Sequence, residues 1–562
     1  MNQLLKHIIL LACLVQYYPA GISAHLPATP EVYEKVIMFT DRSLYIAGED
    51  IYFSGTVFMI NQHPDTGLSK VLYVELINNT GLPVIAQKFR ISRSTCTGLV
   101  QIPENVTSGI YYIKAYTRYM RNEGPGSFSY NLLKVINPTE TNAPAFNRAS
   151  GPGNNDDIRI GGIEDQQVFD IKTDGAVYGQ RDSVQVRFRA SVPVDSLRSA
   201  CLSVVPANSG IDKRILINGN LRSRAPGIYK PESNGITLSG MVVNKDTGIP
   251  LPAKQVDLSL LVGYCDLISV FTDPEGRFYI SLPDITGKCD IFIGADNTDS
   301  VVPAILVDND FSPYSIILPN EAFILSDVER ETALNLTRNY QVSSVFTPEK
   351  IRLTVEPTGK FNAPFYGKPA STLNLDDYVQ LPVLEDYFNE LSFPAKVRKV
   401  NGKKYFRIQG PNPEINLYKP LVLVDGIAVY EHGQVLSLPS NNISHVDIIN
   451  EPYIKGNLIY GGIVSIFSKN KDFALMNLPP SGLFISYDFL SEPAPVLART
   501  VPENIPDARN TLYWNGNLQV PDEPENSITF ITGNSKGEYD IIVRGVLSDG
   551  TDFSQTVSFL VE

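Results

Sequence analysis

Apolar and polar side chains alternate in short runs along most of this chain, with turn residues between the runs. Tyr73-Val74-Glu75-Leu76-Ile77 and Tyr111 to Ala115 carry the two-residue period of half-buried strands, and Ser183 to Phe188 and Ala200 to Val204 read as further strands. Further strands are predicted at Val168-Phe169-Asp170-Ile171, Val256 to Leu261, Asp290 to Gly294, Ile528-Thr529-Phe530, Gly537 to Val543 and Val557-Ser558-Phe559. Asp273-Pro274-Glu275-Gly276 reads as a hairpin turn reversing two apolar strands. Helical spacing is confined to Glu329–Leu336, inside an irregular stretch from 310 to 370, and to Leu384–Leu391, about two turns long. An Asn-, Gly- and Asp-rich stretch at 145–164 reads as a linker.

Length and composition sharpen this picture. A chain of 562 residues is too long for one core and divides into about four or five domains. Tyr 28 and Phe 26 against Trp 1 and Met 6 favour pleated surfaces. The net charge of -13 argues against nucleic acid, which needs a basic stripe. The predicted class is mainly β, with serial β-sandwich domains plus one small α+β unit.

The first residues look like an export signal. Lys6 and His7 precede an apolar run from Ile8 to Tyr18, and Ile22-Ser23-Ala24 offers a small residue for cleavage. That run is too short to remain in a bilayer. The alternative is a lipoprotein box, Leu10-Leu11-Ala12-Cys13, with Cys13 acylated; Leu11 is unusual there and the apolar core would be very short. No later segment has the length and apolarity of a transmembrane helix.

Several segments resemble known modules. Lys35 to Phe58, with Asp41-Arg42, Tyr45 and Gly48-Glu49, followed by Tyr111 to Asn122, is similar to the macroglobulin-like (MG2) domain of the alpha-2-macroglobulin superfamily, in the version found in Gram-negative envelope proteins. Tyr178-Gly179-Gln180-Arg181 repeats the Tyr-x-x-Gly logic of residues 45–48 and suggests a second such sandwich. Gly240-Met241-Val242, Thr247 to Pro252 and Thr272 to Phe278 resemble a carboxypeptidase regulatory-like, transthyretin-like sandwich. Lys419 to Lys469, with an apolar strand ending in Asp425-Gly426 and a closing Gly461-Gly462 strand, resembles the plug of TonB-dependent receptors. Fewer than a hundred residues follow, too few for the large barrel such a plug fills. The last segment, from Asp507 to Val561, is similar to the domain that ends many such proteins.

The expected boundaries are therefore a signal peptide at 1–24, macroglobulin-like sandwiches at 25–140 and 165–230, a regulatory-like sandwich at 235–310, a plug-like α+β domain at 370–470, and a C-terminal sandwich at 480–562. Asp425 and Gly426 are expected to form the plug-like turn, with Gly free to take positive φ. If Val256–Leu261 and Asp290–Gly294 pair antiparallel, Cys265 and Cys289 come close enough for a disulfide. It would close a loop of about 25 residues and contribute about 3 kcal/mol. Two buried thiols are the alternative.

Reacting groups are not evident. None of Cys96, Cys201, Cys265 and Cys289 has the Cys-Gly-Glu-Gln context of a macroglobulin thioester. The His-x-x-Glu zinc motif is absent, and His25, His63, His432 and His445 have no Glu or His at ligand spacing. Asp156-Asp157 and Asp376-Asp377 lack the alternation of a calcium loop. No catalytic residue, cofactor or metal is expected. The expected function is non-enzymatic recognition or scaffolding in the cell envelope, in the periplasm or at the outer membrane. The expected partners are outer-membrane proteins such as a TonB-dependent transporter. The alternative is a glycan- or peptide-binding accessory of nutrient uptake using Tyr111, Tyr112, Tyr116 and Tyr119, although their periodicity places half of them in the core.

Overall fold

Alternation turns into pairing first at Tyr33–Thr40, which lies antiparallel to Asp50–Ile60, itself paired with Thr95–Gln101. The computed structural model describes residues 33–60, 68–140, 158–163, 165–210, 213–217, 229–261, 263, 266–297, 301–319, 322–346, 363–478, 481–498, 501–521 and 526–562. The expected signal peptide, Cys13 and Cys265 lie outside the described residues. The opposing layer of this first sandwich runs Pro83–Arg90, Val71–Asn78, Gly109–Tyr116, Ser129–Ile136. Val36, Met38, Phe53, Leu72, Val74 and Phe89 fill the space between the layers. Gly98 is needed there, because a Cβ would strike the rings of Phe53 and Phe89, which meet edge to face at 4.8 Å.

Part of the expected linker is a strand. Ile158–Gly161 pairs with Lys213–Ile217, which joins Ser129–Ile136 and widens the first sandwich. Ile158, Ile160 and Ile217 pack against its core, an apolar demand that outweighs the loop-like composition around them.

The two sandwiches expected at 165–230 and 480–562 are corrected to one. Phe169–Thr173 and Ser183–Ala190 share a layer with Asn526–Ile531. In the other layer Leu197–Pro206 lies between Gly537–Leu547 and Tyr513–Asn515, while Asp552–Val561 pairs with Gly537–Leu547 and with Val177–Tyr178. Val168, Phe169, Val184, Val186, Leu202 and Val204 share one core with Leu512, Phe530, Ile541, Phe553 and Phe559. Neither half has enough strands to cover its own apolar face, so each completes the other.

The third module packs Arg277–Ser281, Thr237–Asn244 and Pro303–Val307 against Asp266–Phe271, Gln255–Leu260, Lys288–Ala295 and Leu483–Asp488. The last strand again comes from the expected C-terminal domain. The Asp273–Gly276 turn is present, with Asp273 N–H donating to the Arg277 carbonyl at 2.8 Å and Gly276 at φ +75°. The strands it joins lie in opposite sheets, so it forms a corner between layers where a hairpin was expected. Gln255–Leu260 and Lys288–Ala295 are antiparallel, with Leu261 N–H donating to the Asp290 carbonyl at 3.0 Å. Cys289 is buried at that strand's start.

The fourth module is a mixed sheet in the order Ser371–Asn374, Ile443–Ile449, Ile463–Ser468, Leu421–Val424, Ile427–Ala428, with Leu384–Glu390 contributing to its core. The helix expected at Glu329–Leu336 runs instead from Asp327 to Phe346. Ser326 and Glu329 cap it reciprocally, at 2.8 and 3.2 Å. Its Ala333 and Leu336 pack on Leu44 and Ile46 of the first sandwich.

A chain cut after residue 500 should lose protection at 165–206 while 33–136 keeps it, read by hydrogen exchange and limited proteolysis. Persistent protection of Ser183–Ala190 in the shortened chain would show that the first half folds alone.

Candidate functional site

The densest polar constellation is the loop Asp41-Arg42-Ser43-Leu44-Tyr45-Ile46-Ala47-Gly48-Glu49. Arg42 is buried and pairs with Glu49 at 3.1 Å and Asp41 at 3.3 Å, its guanidinium over the Tyr45 ring. Burial opposes the charge on Arg42, but Glu49 and Asp41 outweigh it and raise its pKa. Tyr45 Oη donates to Asp41 Oδ1 at 2.6 Å, and Glu49 Oε2 accepts the Ile46 N–H at 2.7 Å. Gly48 has φ +91°, and the Tyr340 hydroxyl occupies the space a Cβ would need.

These groups bind the rest of the chain. Thr511 Oγ1 donates to Asp41 Oδ2 at 2.6 Å, and Asn510 Nδ2 donates to Glu49 Oε1 at 2.7 Å and to the Leu336 carbonyl at 3.0 Å. Asn339 reaches Asn510 at 3.0 Å. The loop is thus a clamp closing the first sandwich, the interleaved sandwich and the long helix on one another. Arg544 adds a second tie, donating to the carbonyls of Thr40 at 3.2 Å and Gly210 at 2.6 Å.

The weak repeat seen in sequence has a shared hydrogen-bond geometry. Tyr178 Oη donates to Asp174 Oδ1 at 2.7 Å, as Tyr45 does to Asp41. Gly175 N–H donates to Tyr178 Oη as Arg42 N–H does to Tyr45, and Gln185 N–H meets Asp174 as Tyr52 N–H meets Asp41. The second copy has Gly175 where the first has Arg42, and the Tyr178 hydroxyl holds the Asp174 carboxyl below its ordinary pKa.

A second polar layer joins the first and third modules. Lys114 pairs with Glu75 at 2.9 Å, Tyr116 Oη donates to Glu75 at 2.7 Å, and Lys88 pairs with Asp310. Glu232 accepts from Tyr73 Oη at 3.0 Å and Thr237 N–H at 2.7 Å, with Arg118 4.0 Å away. Burial pushes its pKa up to about 7. The aromatic set proposed for glycan contact is corrected here: Tyr111, Tyr112 and Tyr116 are buried, and Tyr119 is half-buried. Residues 309–319 cover that sheet face, with Tyr112 Oη donating to the Pro319 carbonyl and Tyr116 Oη accepting the Ser312 N–H.

The third and fourth modules meet around buried Asp257, which accepts from Tyr430 Oη and from Gln255 Nε2. Burial raises its pKa against those hydrogen bonds. Ser259 Oγ donates to the Gly426 carbonyl at 2.8 Å, and Lys455 pairs with Asp266 at 2.7 Å. Asp425 and Gly426 form a two-residue turn with φ of +46° and +84°. Asp425 accepts the Ser468 and Phe473 N–H groups at 2.8 and 2.9 Å, which ties the turn to the end of the neighbouring strand.

The remaining candidates are occupied structurally. His432 Nδ1 accepts the Phe406 N–H at 3.2 Å, and burial lowers its pKa to about 4. His445 stacks on Phe467 at 4.4 Å. Asp376 pairs with Lys469 at the surface, and Cys96 is a buried free thiol. Asp156-Asp157, His25 and His63 lie outside the described residues. Among the described residues, no three His, Cys, Asp or Glu side chains cluster as metal ligands, and no helix is long and apolar enough to cross a membrane.

No family model and no curated protein matches the chain. Among solved structures it is similar to a Salmonella alpha-2-macroglobulin reacted with methylamine, at 8% identity and TM-score 0.23, over 94% of this chain and 39% of that one. It is also similar to the native Escherichia coli alpha-2-macroglobulin, at 9% identity and TM-score 0.23, over 95% of this chain and 40% of that one. The D0-D1 domain of intimin aligns at 12% identity and TM-score 0.14, over 49% of this chain and 98% of that one. The chain spans about 40% of the length of these macroglobulins. At this level of likeness the architecture is read from the chain's own sheets.

Two stability measurements test the joints. Arg42→Ala leaves Asp41 and Glu49 buried without their cation and should cost about 3–5 kcal/mol in urea unfolding. Glu232 has a folded pKa above its unfolded value, so the cost of ionising it is absent below about pH 4.5 and grows as pH rises to about 7. Relative to Glu232→Gln, the native protein should lose roughly 3 kcal/mol across that window. Parallel pH profiles for the two proteins would remove Glu232 from this role.

Proposed function

We propose that this is a non-enzymatic, exported envelope protein that works by protein–protein recognition or scaffolding at the outer membrane. One observation carries the reading: the buried ionisable side chains Arg42, Asp41, Glu49, Lys114, Glu232 and Asp257 are engaged in joining modules, and the result is one braced body. Such a body holds several recognition surfaces in fixed relation. Export rests on the N-terminal sequence pattern. The regulatory-like reading of residues 235–310 and the plug-like reading of 370–470 rest on the residues quoted for them, and a two-layer sandwich and a small α+β sheet fit those readings. The partner class is an outer-membrane protein, with a TonB-dependent transporter the first to test. The glycan-accessory reading loses its residue basis with the burial of Tyr111, Tyr112 and Tyr116.

Mild crosslinking in native envelopes, followed by purification and mass spectrometry, should return one outer-membrane protein in near-stoichiometric yield. Recovery of the bare chain under every crosslinking condition would count against the reading, as would turnover of peptide or glycan substrates by the pure protein.

A further inference from the structure

The fourth module carries a ribbon that its sheet does not explain. Ala395–Val400 pairs with Lys403–Ile408 across an Asn401-Gly402 turn, both residues at positive φ. These strands form a separate two-stranded sheet, so the outer edge of Ala395–Val400 pairs with no other strand among the described residues. On the Lys403–Ile408 side, His432 takes the outward Phe406 N–H. One edge therefore has a side-chain acceptor on it, while the other has no strand partner. The helix Leu384–Glu390 packs against Ala395–Val400, with Lys396 Nζ donating to the Leu391 carbonyl at 2.9 Å.

Charge marks the same ribbon. Lys396, Arg398, Lys399, Lys403, Lys404 and Arg407 fall within 396–407, and residues 391–409 contain no Asp or Glu, in a chain of net charge -13. Ala395, Val397, Phe406 and Ile408 face inward, with Phe406 against Phe388 at 5.2 Å. Register puts Lys396 opposite Arg407, Arg398 opposite Tyr405, and Val400 opposite Lys403 on the outward face. Lys404 is paired with Glu385 on the inner face, while Arg398, Lys399 and Lys403 are exposed.

We infer that the unpaired edge of Ala395–Val400 is a docking site for an extended acidic segment of a partner protein, which adds to the ribbon as a third strand. The inference rests on the recognition reading above and gives that partner a chemistry. Lysines on an edge repel basic strands, including other copies of this ribbon, yet favour a strand carrying carboxylates. Side chains alternate across a strand, so the partner's acids fall at every second position beside Lys396 and Arg398, with apolar residues between them. A lipid surface fits less well, because Val400 is a single exposed apolar side chain beside the turn and a headgroup makes no use of an unpaired backbone edge.

The test uses the full mature chain and a dansyl-labelled decapeptide alternating Glu and Val, followed by fluorescence anisotropy. Saturable binding that weakens with salt is expected. The Arg398→Glu/Lys403→Glu double variant and a peptide N-methylated at alternate residues should each weaken binding about tenfold or more. Equal binding of the N-methylated peptide would overturn strand addition, and equal binding by the double variant would overturn the ribbon as the site. Binding to phosphatidylglycerol vesicles without binding to the peptide would also overturn the proposal. If the double variant still co-purifies with the envelope partner and the peptide does not bind, the ribbon proposal falls alone. If no partner is recovered with either protein, the recognition reading falls and the titration still decides the ribbon.

Discussion

A buried guanidinium is the constraint on which the assembly turns. Arg42 must keep two carboxylates, because an unpaired charge at that depth would cost several kcal/mol. Those carboxylates have acceptor capacity beyond one cation, and Asn510, Thr511, Tyr45 and the Ile46 and Tyr52 N–H groups supply further donors. Satisfying one charge therefore fixes the position of a segment more than four hundred residues away in sequence. The long helix is held in the same arrangement, because Gly48 leaves the space that Tyr340 fills.

This explains why the interleaved sandwich can afford such distant partners. Leu197–Pro206 waits for Gly537–Leu547, and closing that loop carries an entropic cost that grows only slowly with length. The intervening residues are themselves folded as the third and fourth modules, which shortens the effective loop. Arg544 and the apolar contacts of Phe39, Phe58, Cys201 and Trp514 then lock the completed sandwich onto the first. The second Asp-Tyr corner has Gly175 in place of Arg42. It keeps the local turn without the charge that would recruit a distant segment.

Local periodicity made the strands and the mainly β class legible in the sequence, because each depends on neighbours a few residues away. Pairing between residues 165–206 and 513–561 left no local trace, so two half-sandwiches read as two domains. The helix at Asp327–Phe346 extends well beyond the periodic stretch Glu329–Leu336, and Ser326 with Glu329 spells a capping box at its start. Tyr112 and Tyr116 looked available because alternation puts side chains on both sheet faces, and nothing local announced that residues 309–319 cover the second face. The basic ribbon is hidden in the sequence for a different reason. Charge summed over the whole chain hides six cations within twelve residues, and the Asn-Gly between them is a hairpin signal.

The distribution of charge separates joints from surfaces. At the joints every cation has a carboxylate or carbonyl at hydrogen-bond distance: Arg42 with Glu49, Lys114 with Glu75, Lys455 with Asp266, Arg544 with Thr40 and Gly210. The carboxylate pairs neutralise one another locally and project little field into solvent, while Arg544 is buried against carbonyl dipoles. The ribbon at 395–408 keeps its cations together and away from acids, apart from Lys404 with Glu385. A field of one sign on an unpaired strand edge, carried by a body of opposite net charge, opposes self-association through that edge. Its physical consequence lies in what it attracts from outside the chain.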